Sequence, residues 1–138
     1  MTRTKILLVD SVDATCGGMQ HSLENEDFEV VSARTGPEAI AAIATQPFDV
    51  LITDLSLRRE RGGLTAVTTM HHLQPEALKI VLSHPGGIQE AMAVLLQVDE
   101  VIVRPFEVKR IAELIRSKTR ERKSNTITQG LPRTERFA

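Results

Sequence analysis

The sequence has no tryptophan and no tyrosine, and its aromatic content is limited to four phenylalanines. Flavins and unpaired nucleic-acid bases are held mainly by stacking on aromatic side chains, so this composition weighs against both kinds of ligand. There is a single cysteine, Cys16, and no disulfide can form within the chain. One unpaired cysteine fits a reducing compartment, and we expect a cytoplasmic protein.

Long apolar segments and a strong charge of either sign are also missing. No apolar run approaches the roughly 20 residues that span a bilayer, and no charged-then-apolar segment opens the chain, so we expect neither a membrane span nor a signal peptide. The 17 basic and 18 acidic residues give a net charge of −1, without the basic excess typical of nucleic-acid-binding proteins. A length of 138 residues predicts one domain.

What the sequence does contain is a regular alternation of apolar runs and helical patterns. The runs are short and rich in β-branched residues, which is typical of strands buried on both faces of a parallel sheet. They lie at residues 6–9, 30–31, 50–52, 80–82 and 101–103. Each is followed by apolar residues at helical spacing, the fourth set between Ile88 and Leu95 and the fifth at Val108, Ile111 and Ile115. We therefore predict an α/β fold, a (βα)5 doubly wound parallel sheet of five strands in order 2-1-3-4-5, forming a three-layer α/β/α sandwich.

The helical pattern ends at about Lys118. Residues 118–138 are polar and include six basic side chains. We predict a domain over residues 1–120, with a frayed helix end, and a flexible polar and basic tail over residues 121–138. A basic tail of this kind is more often solvated than bound to nucleic acid, so we expect no nucleic-acid partner.

Four predicted strand ends carry residues that together suit phosphoryl chemistry. Asp10 and Asp54 end the first and third strands, which are neighbours in the order 2-1-3-4-5, at the edge where open α/β sheets bind ligands. Two close carboxylates repel each other, a hard cation such as Mg²⁺ relieves that repulsion, and a carboxylate in this setting can attack a phosphoryl group. Ser83 offers a hydroxyl at the fourth strand end and Arg104 a cation at the fifth. Each residue alone is more simply a turn or cap residue, so the combination carries the interpretation.

The segments around these residues resemble the successive signatures of response-regulator receiver domains. The matching segments are Lys5–Asp10, Asp49–Leu57, Ile80–Ser83 and Val101–Phe106, with a loop glycine at Gly62. The resemblance covers residues 4–120 and implies a flavodoxin-like fold. It also implies phosphoryl transfer to Asp54 from a sensor histidine kinase or a phosphotransfer protein. It further implies a switch through Ser83 and Mg²⁺ held by Asp10, Asp54 and the backbone of Ser56.

The chain departs from the family pattern at four positions. Ser11 stands where the family has a second acid that binds the metal directly, so we expect a weak ligand there and a lower Mg²⁺ affinity. Arg104 replaces the usual lysine, and its planar fork reaches an oxygen differently from an ammonium group. Val101 has no ring where the family often has a switching aromatic. His84 follows Ser83 where a small residue is usual, which makes it a candidate gate of the pocket.

Two hypotheses about function are compatible with these residues. In the first, the chain is the receiver domain of a two-component phosphorelay, accepts a phosphoryl group on Asp54 and signals to a downstream protein partner. The signalling surface would comprise the predicted fourth helix, fifth strand and fifth helix. We expect its apolar residues Val94, Leu96 and Leu114 to be exposed there and to suit a partner or a homodimer. In the alternative, the chain is a pseudo-receiver, an interaction module with the same fold and surface that is not phosphorylated.

Two other protein classes are less favoured. A phosphohydrolase of the haloacid-dehalogenase type also uses an aspartate after a strand, but it generally needs a second acid two residues later, where this chain has Ser56. A flavodoxin-like electron carrier shares the fold, but it would be expected to stack its flavin on aromatic rings. We therefore expect a signalling protein without enzymatic activity or catalytic residues.

Overall fold

The structure, a computed structural model, describes residues 3–9, 13–54, 62–83 and 97–130. Its five strands are β1 (Lys5–Val9), β2 (Glu29–Ala33), β3 (Val50–Asp54), β4 (Leu78–Ser83) and β5 (Glu100–Val103). Its helices, labelled in chain order, are α1 (Asp13–Asn25), α2 (Gly36–Thr45), α3 (Gly62–Leu73) and α4 (Val108–Gly130). Helix α4 is the fifth helix predicted from the sequence, and the predicted fourth helix lies outside the described residues.

The five strands form one parallel sheet in the order β2-β1-β3-β4-β5, which confirms the predicted order 2-1-3-4-5. Ile6 of β1 lies opposite Val30 of β2 on one side and Val50 of β3 on the other. The chain therefore moves outward from β1 to β2 and then returns across β1 to β3. This reversal places the carboxyl ends of β1 and β3 side by side, the usual position of a ligand site in such sheets.

Both faces of the sheet are covered, which explains the uninterrupted apolar runs of the strands. Successive side chains of a strand point to opposite faces, so Ile6 and Leu8 belong to one core and Leu7 and Val9 to the other. The first core packs against α1 and α4, and the second against α2 and α3. Burial of one large aliphatic side chain contributes about 1.5–3 kcal/mol, so the two cores supply most of the stability of the sandwich.

Gln74, directly after α3, ties the end of α2 to the start of β3. Its Nε2 donates to the carbonyl oxygens of Ile43 and Gln46 at 2.9 and 2.8 Å. Its Oε1 accepts a hydrogen bond from the backbone N–H of Phe48 at 2.7 Å. One side chain thus satisfies three backbone groups of the connection that leads into β3.

Helix α4 continues beyond the point where its apolar pattern ends. Up to residue 120 its last fully buried side chain is Ile115, and the backbone stays helical through Gly130. The backbone of residues 118–130 is thus helical where the sequence pattern predicts a frayed helix end. The cause is local propensity, since arginine, lysine and glutamate are good helix formers and no proline interrupts them. The division into a domain over residues 1–120 and a tail over residues 121–138 stays a prediction. None of the described helices is both long and apolar enough to cross a membrane.

Candidate functional site

Asp54 is the last residue of β3, and its side chain is only 15% exposed. It lies opposite Leu82 in β4, and the next residue of β4 is Ser83, which is fully buried. On the far side of β4, Arg104 directly follows β5, and its backbone N–H donates to the carbonyl oxygen of Ser83 at 2.8 Å. The sheet order therefore brings three of the predicted site residues, Asp54, Ser83 and Arg104, to the same edge.

Arg104 reaches across β4 to Asp54. Neighbouring strands lie about 4.8 Å apart, so the backbones of β3 and β5 are roughly two such spacings apart, and only a long side chain can join them. The Nη2 atom of Arg104 lies 3.6 Å from Oδ2 of Asp54. Arg104 thus places a positive charge beside Asp54, and its guanidinium group contacts the carboxylate directly.

This ion pair leaves two polar atoms without a partner. Among the described residues, Oδ1 of Asp54 and Nε of Arg104 are buried and make no hydrogen bond. The separation of 3.6 Å also exceeds the roughly 2.7–2.9 Å of a close N⁺–H···O⁻ hydrogen bond, so the pair is loose. A buried polar group without a partner costs about 1–3 kcal/mol. The site thus offers Oδ1 of Asp54 as an acceptor or metal ligand and Nε of Arg104 as a hydrogen-bond donor.

Arg104 also takes part in a second set of contacts. Its Cζ atom lies 5.4 Å from the centre of the Phe106 ring, a cation–π contact. The segment that begins at Arg104 forms one wall of a cleft of about 480 Å³, and α1 forms the opposite wall. The lining residues are Gly18, Met19, Ser22, Arg104, Pro105, Phe106 and Val108.

The start of α3 touches the backbone of Asp54 at Gly63. A Cβ atom added to Gly63 would collide with the carbonyl oxygen of Asp54 and would lie 2.8 Å from Oγ1 of Thr53. Only glycine fits this close approach of helix and strand. The resemblance singled out the neighbouring Gly62, which forms a glycine doublet with Gly63. The usable signal was the doublet itself, because each glycine in a helix costs up to about 1 kcal/mol and needs a compensating reason.

Four other predicted site residues, Asp10, Ser11, Ser56 and His84, lie outside the described residues. The part of the chain that is described holds no group of three or more His, Cys, Asp or Glu suited to a metal ion. Of the expected Mg²⁺ ligands it contains Asp54. The buried, unpartnered Oδ1 of this residue fits a hard cation, which takes oxygen ligands.

The predicted signalling surface is described in part. Val94 and Leu96 lie outside the described residues. Leu114, predicted to be exposed, is instead partly buried and packs against the core between α1, α4 and the sheet. Val101 has a similar structural role, because it is partly buried against the opposite core. On β5, Val103 is the exposed apolar residue, at 39%.

Residues 6–116 match the family model of the response regulator receiver domain, and the chain belongs to this family. Among curated relatives, it is 24% identical over 137 residues to the transcriptional regulatory protein PrrA of Mycobacterium tuberculosis, an alignment that covers 94% of this chain. The chain spans 58% of the length of PrrA.

Solved structures agree with this assignment. A CheY-like receiver domain protein from Methanospirillum hungatei has a TM-score of 0.79 at 25% identity, over 90% of this chain and 99% of that one. A response regulator from Burkholderia pseudomallei, solved with a phosphorylated aspartic acid, a calcium ion and citrate, has the same fold. Its TM-score is 0.72 at 23% identity, over 92% of this chain and 75% of that one.

Family membership defines the class of protein. Receiver domains are signalling modules of two-component systems and are not typically enzymes. They are typically phosphorylated on an aspartate and bind Mg²⁺ at that site. They interact with histidine kinases and downstream effector domains. In this chain, Asp54 ends β3 and Arg104 directly follows β5, so their ion pair lies at the edge where parallel sheets of this kind bind ligands.

Proposed function

We propose that this receiver domain accepts a phosphoryl group on Asp54 in a two-component phosphorelay and signals to a downstream protein partner. The observation that carries the proposal is the Oδ1 atom of Asp54, which is buried and makes no hydrogen bond within the described residues. A carboxylate oxygen that accepts no hydrogen bond keeps its lone pairs for a phosphorus atom. The adjacent guanidinium group of Arg104 supports the same interpretation, because it can neutralise the charge that arrives.

In the proposed step, Oδ1 of Asp54 attacks the phosphorus atom of a phosphohistidine on a sensor histidine kinase or a phosphotransfer protein. The new O–P bond forms as the P–N bond breaks, and the electron pair of that bond returns to the imidazole. The product is an acyl phosphate, and a phosphoryl group adds about −1.5 to −2 charges at neutral pH. Arg104 then donates to a phosphoryl oxygen, through its Nη2 and through its presently unpartnered Nε.

Further residues complete the proposed site. Asp10, Asp54 and the backbone of Ser56 would hold Mg²⁺, with Ser11 as a weak fourth ligand. When bound, this cation neutralises phosphoryl oxygens and relieves carboxylate repulsion. Ser83, buried at the end of β4, donates its hydroxyl to a phosphoryl oxygen and carries the switch.

His84, the residue after Ser83, stays a candidate gate of the pocket. We propose that the protein acts in the cytoplasm, where its single cysteine stays reduced, and that it has no enzymatic activity of its own. The predicted fourth helix, β5 and α4 form the proposed surface for the partner or for a homodimer. The exposed side chain of Val103 supports this choice of surface.

A second function, the pseudo-receiver, is favoured by the same ion pair. Arg104 already places a positive charge 3.6 Å from the Asp54 carboxylate, which reduces both the need for a metal and the nucleophilicity of the oxygen. Ser11 adds to this, since it replaces a metal-binding carboxylate. In that case the domain presents its interaction surface permanently.

An amide NMR titration with Mg²⁺ and then with beryllofluoride, which imitates an aspartyl phosphate, separates the two functions. The phosphorylated receiver predicts shifts centred on Asp54, Ser83, β5 and the start of α4. Asp54→Asn is the matched control, because it keeps the size of the side chain and removes the acceptor, and its spectrum should not respond to beryllofluoride. A wild-type spectrum that stays unchanged at millimolar Mg²⁺ with beryllofluoride would establish the pseudo-receiver.

A further inference from the structure

Arg104 contacts both the Asp54 carboxylate and the ring of Phe106. One end of its guanidinium group faces Asp54, with Nη2 at 3.6 Å from Oδ2. The Cζ atom of the same group lies over the Phe106 ring, 5.4 Å from its centre. Because a guanidinium group is planar and rigid, a movement that changes one of these contacts changes the other.

Phe106 in turn borders the cleft between α1 and the start of α4. It is partly buried, packs against the core and lines the cleft together with Met19 and Ser22 of α1. The cleft is open on its α1 side, since a Cβ atom added to Gly18 would meet nothing within 4 Å. The ring therefore borders the open space of a cleft of about 480 Å³.

We propose that Arg104 transmits the charge at Asp54 to Phe106 and thereby sets the shape of the cleft between α1 and the start of α4. Phosphorylation as the natural trigger rests on the proposed function, whereas the coupling itself rests on the contacts of Arg104. Strand β5 offers no ring for such a role, because its central residue Val101 is an aliphatic side chain packed against the core.

The two distances give the scale of the coupling. Closing the loose ion pair from 3.6 Å to a charge-assisted hydrogen bond of about 2.8 Å moves the guanidinium group by roughly 0.8 Å. Cation–π contacts extend to about 6 Å, and the present 5.4 Å lies about 0.6 Å inside that limit. A phosphoryl group on Asp54 that draws Arg104 towards it therefore changes the contact with Phe106 by an amount that matters to a cation–π pair.

The phenylalanines themselves provide the readout. Incorporation of ring-fluorinated phenylalanine gives four ¹⁹F NMR signals, which Phe106→Leu and Phe28→Leu assign. Phe28 is a matched internal control, because Arg116 lies over its ring at 5.2 Å and is paired with Glu26 instead of Asp54. Asp54→Asn removes the charge that holds Nη2 and should shift the Phe106 signal while the Phe28 signal stays in place. An unchanged Phe106 signal, or equal shifts of both signals, would overturn the coupling.

A second variant tests the route through Arg104. In Arg104→Gln, which has lost the cation, adding Asp54→Asn should no longer move the Phe106 signal, and a residual shift of the wild-type size would overturn the route. Beryllofluoride with Mg²⁺ then tests the trigger. If beryllofluoride shifts the Asp54 amide but leaves Phe106 unmoved, the coupling fails and the proposed function stands. If Asp54→Asn moves Phe106 while beryllofluoride changes no signal, the proposed function fails and the coupling stands.

Discussion

Replacing Gly63 with alanine is expected to destabilise the protein, although alanine is the better helix former. The added methyl group would collide with the backbone carbonyl of Asp54 and would press on Oγ1 of Thr53 at 2.8 Å. A backbone carbonyl in a central strand cannot turn aside as the end of a flexible side chain can. Either α3 or the end of β3 must therefore shift.

The expected loss can be estimated from two opposing terms. Alanine gains about 0.5–1 kcal/mol over glycine in a helix interior, and less at the second residue of α3. Overpacking of a well-packed contact costs about 1–3 kcal/mol, with the upper part of that range appropriate for a backbone neighbour. We expect Gly63→Ala to lower the free energy of unfolding by about 1–2 kcal/mol, a fall in Tm of roughly 4–8 °C for a domain of this size.

Urea unfolding followed by circular dichroism measures this effect, and Gly18→Ala is its matched control. Gly18 lies in α1, and a Cβ atom at that position would meet nothing within 4 Å, so the same substitution should stabilise by about 0.5–1 kcal/mol. The two variants should thus change the midpoint in opposite directions. A Gly63→Ala protein at least as stable as the wild type would refute the close approach of α3 to Asp54.

Three further predictions follow from described contacts. Gln74→Ala removes three hydrogen bonds to the backbone before β3 and should cost about 2–3 kcal/mol in urea unfolding; a loss below about 0.5 kcal/mol would contradict this. Arg104→Gln removes a cation 3.6 Å from Asp54 and should tighten Mg²⁺ binding by about fivefold in calorimetry, equivalent to ~1 kcal/mol; unchanged affinity would count against it. Arg116→Gln loses an exposed ion pair and its contact with Phe28, and should cost less than about 1 kcal/mol in thermal unfolding; a larger loss would show that this pair is structural.

The sheet was largely predictable because its signal is local. Each strand has four to six residues and contains a short apolar run, which burial on both faces of the sheet favours. The helical pattern from Val108 to Ile115 was equally clear, since three buried residues of α4 fall on one face. The strand order depended on the alternation of strands and helices together with the family resemblance.

The site was predictable in composition but not in geometry. Asp54, Ser83 and Arg104 could be placed at one edge of the sheet from the strand order alone. The distance between Asp54 and Arg104, the stacking on Phe106 and the contact at Gly63 depend on rotamers and on the path of α3. These contacts depend on tertiary packing, and the periodicity of apolar residues along the sequence carries no information about them.

Two differences between expectation and structure have the same origin. The end of the helical pattern at Lys118 was inferred from the loss of apolar periodicity, but a segment of good helix formers keeps its helical backbone without that periodicity. Leu114 was predicted to be exposed from its place in the sequence, whereas the packing of α4 on the sheet partly buries it. Amphipathic spacing indicates which face is buried. It does not give the width of that face or the length of the helix.

The length of α4 has a mechanical consequence. The helical backbone of residues 116–130 extends about 22 Å past Ile115, at 1.5 Å per residue. A stiff rod held at one end acts as a lever, so a tilt of about 5° at its base displaces the far end by about 2 Å. At the other end of α4, its first residue Val108 lines the same cleft as Phe106. If Asp54 is phosphorylated as proposed, a small tilt of α4 that begins at this cleft would become a movement at residue 130 that is large enough for a bound protein to detect.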